Sequence, residues 1–138
     1  MAYSTATSLA VAILLFIHFK SEEGLYEYLA TKAISEELDI PVPTTVKILG
    51  KLNTAGLIHT KEGAKGGILL ARSISKITFL DVFDAVEQGK PLFKVKYDFD
   101  MDYDKLDSIK EKGMQCFKEA ENAMKMSLKK RTLSDLLK

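Results

Sequence analysis

Four lysines, Lys47, Lys51, Lys61 and Lys65, crowd into residues 43–67 of a chain whose formal net charge is only +1. Flexible ammonium groups gathered on one surface suit phosphates, contacts that position a protein on nucleic acid without reading its sequence. Pro43, Thr44 and Val46 lie in the same stretch. Thr44 offers a hydroxyl to a phosphate or base edge, and Val46 an apolar surface to a thymine methyl. Gly66 and Gly67, next to Lys65, complete the candidate DNA-contacting set. Ser4 and Thr5 open the first predicted helix, where a hydroxyl caps free N–H groups or a phosphate meets them.

The other chemistry-bearing side chains assemble into nothing catalytic. His18 and His59 are isolated, and no nucleophile, base and orienting group come together, so an enzyme is not expected. The acidic run Asp98, Asp100, Asp102 and Asp104 superficially resembles a calcium loop. Tyr103 stands where the sixth-position glycine belongs and Ile109 where the twelfth-position carboxylate belongs, leaving an acidic linker. One cysteine, Cys116, excludes an intrachain disulfide and an all-cysteine metal site. No metal and no cofactor is expected.

The elements that must position the lysines follow from periodicity. Thr45, Ile48, Leu49 and Leu52 recur at the spacing of one buried helical face. Thr44, Val46, Lys47, Gly50 and Lys51 then face outward, and Gly56 stops the helix. Strands are predicted over 57–61 and 68–71, joined by a glycine-rich turn at 62–67. Upstream, Thr31 caps a helix over 32–38, and Pro41 and Pro43 shape the turn between the two helices. A helix-turn-helix followed by a glycine-tipped hairpin is the layout of a winged helix, a DNA-reading head.

The rest of the chain frames this head. At 138 residues, 46% hydrophobic and 28% charged, it suits one globular domain with an appended element. The first helix, capped by Thr5 or Ser8 and running to about Phe19, is apolar almost all round and calls for burial on several sides. Its apolar run, 9–17, is too short to span a bilayer and lacks a preceding basic segment, so a cytoplasmic protein is expected. Residues 25–30 read as a short strand or a helical turn, and 72–76 as a linker. Thr78 with Asp81 forms a capping box for a helix whose Leu80, Phe83 and Val86 point inward. Residues 92–103 form a connection without an evident partner. A long helix over 103–130 carries the stripe Leu106, Ile109, Gly113, Cys116, Phe117, Ala120 and Met124. Such a stripe exceeds what a small head covers and predicts a homodimer, with Cys116 buried in it. Thr132 and Asp135 cap a last short helix over 133–137. The expected fold is mainly α with a small β-hairpin wing, divided into a head at 1–91 and a linker with dimerisation helices at 92–138.

These residues resemble the Rrf-two (BadM-type) bacterial transcription regulators. The likeness rests on Leu52-Asn53-Thr54-Ala55-Gly56-Leu57-Ile58, the wing Gly63-Ala64-Lys65-Gly66-Gly67, and Leu70-Ala71-Arg72. Ile77-Thr78-Phe79-Leu80-Asp81-Val82, Val86-Glu87 and Thr132-Leu133-Ser134-Asp135-Leu136 extend it along the chain. The resemblance implies a homodimeric winged-helix repressor or activator on palindromic double-stranded DNA. Three departures stand out. Many members hold an iron–sulfur cluster on three closely spaced cysteines, but residues 88–105 contain none, so no cluster is expected. Glu62 replaces an arginine before the first wing glycine, and Val46 stands where some members use a base-reading glutamate. Two functions remain: a dimeric, cluster-free DNA-binding regulator, or a winged-helix protein-interaction module, which near-neutral charge and Glu62 favour. Any effector is unspecified.

Overall fold

An apolar helix with no polar face has to be packed on several sides, and α1 (Ala6–Glu22) is. Its Ala10, Ile13, Leu14 and Ile17 are buried against the helices and hairpin that follow. The computed structural model describes residues 4–24 and 28–138, including five α-helices and one two-stranded sheet. α1 runs three residues beyond Phe19. Its expected caps are corrected. Thr5 occupies the cap position but its side chain caps nothing, Ser8 donates to the Thr5 carbonyl, and Ser4 Oγ accepts from the Ala6 N–H at 3.2 Å. Of the stretch expected as strand or turn, 25–27 lie outside the described residues. Leu29 forms a strand-like bridge described below.

α2 (Thr31–Leu38) begins at Thr31 itself, with Ala30 in the cap position and no side-chain cap, so the Thr31 cap is also corrected. The helix ends on Asp39, left-handed at φ 52°, a conformation that aspartate tolerates better than most residues. The Ser35 hydroxyl donates to the Ile40 carbonyl inside this turn. α3 (Val42–Thr54) starts one residue before Pro43, which sits in the first turn where its missing N–H is harmless. The helix buries Thr45, Ile48, Leu49 and Leu52, the four residues expected from the spacing.

β1 (Ile58–Lys61) pairs antiparallel with β2 (Gly67–Leu70); β1 starts one residue later than expected, and β2 keeps its expected length but lies one residue earlier. Leu29 bridges to Ile68 through two backbone hydrogen bonds of 2.9 and 2.8 Å, adding a third element to the hairpin. Close backbone approach, by Leu29 at Gly67 and within the hairpin itself at Gly66, explains two glycines. A Cβ on Gly67 would lie 2.6 Å from the Leu29 carbonyl oxygen, and one on Gly66 would strike that of Lys61.

The expected linker after the hairpin holds a 3-10 turn, Ile74–Lys76, whose Ile74 joins the core. α4 (Phe79–Glu87) has the expected capping box, with Thr78 and Asp81 exchanging hydrogen bonds of 2.9 and 3.0 Å. Its inward residues are Val82, Phe83, Val86 and Glu87, while Leu80 is only half-buried. After α5 (Leu106–Lys129) the chain returns to the head. Leu133, fully buried, joins the main core, its N–H donating to the Ile77 carbonyl at 2.9 Å, and Phe79 donates to that of Arg131 at 3.0 Å.

The connection before α5 was expected to lack a partner, but it lies antiparallel along α5. The Leu92 N–H donates to Glu121 Oε1 at 2.8 Å, and the Phe93 and Phe117 rings sit 4.7 Å apart. Tyr97 packs so closely on Gly113 that a Cβ there would meet its hydroxyl at 2.6 Å. Lys110 donates to the Phe99 carbonyl and stands 4.9 Å from its ring centre. Aromatic rings alternating along an extended segment thus cap one side of the long helix.

Candidate nucleic-acid interface

α3 divides cleanly into two faces. Thr45 is fully buried and its neighbour Val46 is 55% exposed. Lys47 and Gly50 are also exposed, Pro43 is exposed at the first turn, and Thr44 is half-buried. An apolar valine of this exposure on a helix whose other side fills the core has water as its alternative neighbour, so a partner surface gains by covering it. At the hairpin, Lys61, Glu62 and Lys65 are exposed, with the Lys61 ammonium 5.7 Å from the Tyr28 ring centre. Glu62 leaves the two lysines as the wing's source of positive charge.

Two candidate phosphate contacts are engaged elsewhere. Lys51 Nζ donates to the Val86 carbonyl at 3.1 Å, tying α3 to the C-terminus of α4, where a cation suits the helix dipole. Ser4 Oγ donates to Glu87 Oε1 at 2.8 Å and thus sits beside an anion, a poor place for a phosphate. Thr5 stays exposed. Gly66 and Gly67 are explained by hairpin packing.

Glu87 is the polar residue that the sequence reading missed. It is 1% exposed, and its Oε1 also accepts from Thr7 Oγ1 at 3.5 Å. Four residues beyond Phe83, it falls on the inward stripe of α4, and that spacing was the available clue.

The expected dimerisation stripe splits. Leu106 is buried in its own chain, Gly113 and Phe117 are covered by the connection, and Met124 is half-buried. Ile109, Cys116 and Ala120 are exposed, joined by Ala123, so the expectation of a buried cysteine is corrected for the single chain. These four lie on the flank of α5 that the connection leaves open, at 7-, 4- and 3-residue spacings.

The sequence matches the model of a family described as Rrf2, iron-dependent transcriptional regulator, over residues 3–138. The chain belongs to the Rrf2 family. It is 34% identical over 91 residues to a Bacillus subtilis (strain 168) protein named as an HTH-type transcriptional regulator, YwgB, covering 62% of this chain and 56% of that protein. The chain spans about half the length of the curated relatives it matches. Among solved structures it is similar to T. potens IscR, with a TM-score of 0.64 and 23% identity, covering 99% of this chain and 86% of that one. It is likewise similar to CymR, the global cysteine regulator of B. subtilis, with a TM-score of 0.65 and 21% identity, covering 99% and 95%. At these identities the structures show the fold, which is that of the winged-helix Rrf2 regulators.

The iron in the Rrf2 description does not fit the donors present here. An iron–sulfur cluster is held by several thiolates, with histidine as an occasional substitute. This Rrf2 chain has one cysteine, and among the described residues no group of three or more His, Cys, Asp or Glu could hold a metal ion. Among the described residues no helix is long and apolar enough to cross a membrane.

Proposed function

We propose that the chain is a sequence-specific DNA-binding regulator that acts as a homodimer on a palindromic operator, without an iron–sulfur cluster. The observation that carries this reading is the division of α3. Thr45, Ile48, Leu49 and Leu52 anchor the helix in the core, while Val46, Lys47 and Gly50 are presented outward beside a lysine-bearing hairpin. Val46 and Thr44 read bases, Lys47 and Lys65 hold phosphates, Lys61 supports them, and Thr5 is a peripheral contact. Lys51 acts through its bond to Val86, fixing α3 on α4 rather than meeting DNA.

Ile109, Cys116, Ala120 and Ala123 of α5 meet the same face of a second chain, small side chains allowing close helix approach. The working division is a head of residues 1–91, to which 131–137 return, and a dimerisation unit at 92–130. The chain has no catalytic role and works in the cytoplasm.

The test is selection of bound duplexes from a random DNA pool with the purified full chain. A palindromic consensus, bound with steep salt dependence, is the expected result. Recovery of random sequences with no retardation of any duplex would instead leave the hairpin and α3 as a protein-binding surface.

A further inference from the structure

The open flank of α5 has the same spacing read from either end. Ile109 and Ala123 lie seven residues before and after Cys116, and Lys112 and Ala120 lie four before and after it. Steps of three and four residues keep all five on one helix face. All five are exposed, while the connection covers Gly113 and Phe117 beside them. At 1.5 Å per residue, the flank from Ile109 to Ala123 is about 21 Å long. A two-fold axis across a helix exchanges positions equidistant from its centre, so this spacing suits packing on an antiparallel copy.

With the axis at Cys116, Ile109 lies on the second copy's Ala123, and a large side chain fills the space that a small one leaves. The Lys112 stem crosses the second copy's Ala120. Glu119 stands seven residues after Lys112, on the same edge of the flank. Antiparallel pairing keeps that edge on one side of the dimer, so each Lys112 meets the Glu119 of the other chain. Both are exposed, and Glu119 accepts a hydrogen bond from the neutral Gln115 amide at 3.2 Å. Among the described residues neither has an ion-pair partner in its own chain. A parallel pair is worse on both counts. It crowds Ile109 on Ile109, leaves a gap between the two Ala123, and sets Lys112 on Lys112 and Glu119 on Glu119.

We propose that the chain pairs with a second copy of itself through antiparallel α5 helices, with the two-fold axis at Cys116 and a Lys112–Glu119 ion pair on each side of it. The pairing rests on the homodimer reading above and gives it an orientation and a register.

The test is sedimentation of the full chain and its charge-reversed variants, joined to cross-linking with copper–phenanthroline in air. Lys112→Glu and Glu119→Lys should each raise the dimer Kd about fivefold or more, by turning two attractions into repulsions. The chain carrying both changes regains its pairs with the signs exchanged and should return to within about twofold of wild type, a rescue that misfolding would not give. Wild type should cross-link through Cys116. In a Cys116→Ser background, Ala123→Cys alone should not cross-link, and adding Ile109→Cys should make it do so. Dimer affinity indifferent to both single reversals, no rescue by the double change, or Ala123→Cys cross-linking to its own copy would overturn the antiparallel pairing while leaving a homodimer. A wild type that sediments as a monomer removes the homodimer reading and the pairing together.

Discussion

Val46→Ala separates base reading from folding on α3. Valine to alanine removes two carbons, worth about 0.8 kcal/mol each when fully transferred from water. Val46 is 55% exposed in the free chain, so slightly more than half of that transfer remains for a partner to capture. Complete cover by a thymine methyl and its sugar is therefore worth about 0.9 kcal/mol, roughly a fourfold rise in Kd on the preferred operator. Random DNA offers no fixed methyl, so its affinity should barely move, and the ratio of specific to non-specific binding should fall by the same fourfold. The part of the side chain already sheltered limits the folding loss to under about 0.7 kcal/mol, a shift of a few degrees in Tm at most. Paired retardation titrations on selected and scrambled duplexes, with a melting curve for each protein, measure all three quantities. A large Tm loss with the specificity ratio intact would refute the outward placement of Val46.

Lys65→Ala should weaken binding to every duplex alike and make the salt slope shallower by about one, whereas Lys51→Ala should leave the slope unchanged and lower Tm; salt titration with melting curves compares them. Ile109→Asp places a charge on the α5 flank proposed to meet a second chain, and sedimentation should show a monomer where wild type sediments as a dimer. Anaerobic reconstitution with iron and sulfide should give no stoichiometric visible chromophore, since one thiolate cannot hold a cluster. Asp135 is held below the ordinary carboxylate range, first by the Thr132 N–H and then by Lys138. A carboxylate depressed in the folded state stabilises above its unfolded pKa and loses that contribution as pH falls through the folded one. The Tm difference between wild type and Asp135→Asn should therefore be widest near neutrality and close in acid.

How much of this was legible depended on whether the deciding contact lay within one element. The facing of α3 follows from the spacing of Thr45, Ile48, Leu49 and Leu52, and the start of α4 from Thr78 and Asp81, because local geometry fixes both. The caps of α1 and α2 were misplaced by one position or more, since Ser4, Thr5 and Ser8 all carry competent hydroxyls. Contacts joining distant segments left no periodic trace. Lys51 reads as one more surface lysine until Val86, 35 residues on, appears beside it. The alternation of apolar and charged residues after Leu92 shows no partner in the sequence, because that partner is a helix face some twenty residues on, and this hid the covering of Gly113 and Phe117. The same long-range logic concealed the bridge at Leu29 and the docking of Leu133.

That docking makes α5 a strut fastened at both ends. Its first half is strapped by Phe93, Tyr97 and Phe99, and its last turn leads directly into Leu133, locked beneath α4. A strut so fastened transmits the angle of the head without a hinge. In the proposed dimer the two α3 helices would then stand at a fixed separation and rotation, and the pair would measure distance along DNA as well as base identity. Inserting one base pair at the operator centre turns one half-site by roughly 35° relative to the other, so the protein should tell apart palindromes differing only in their spacer.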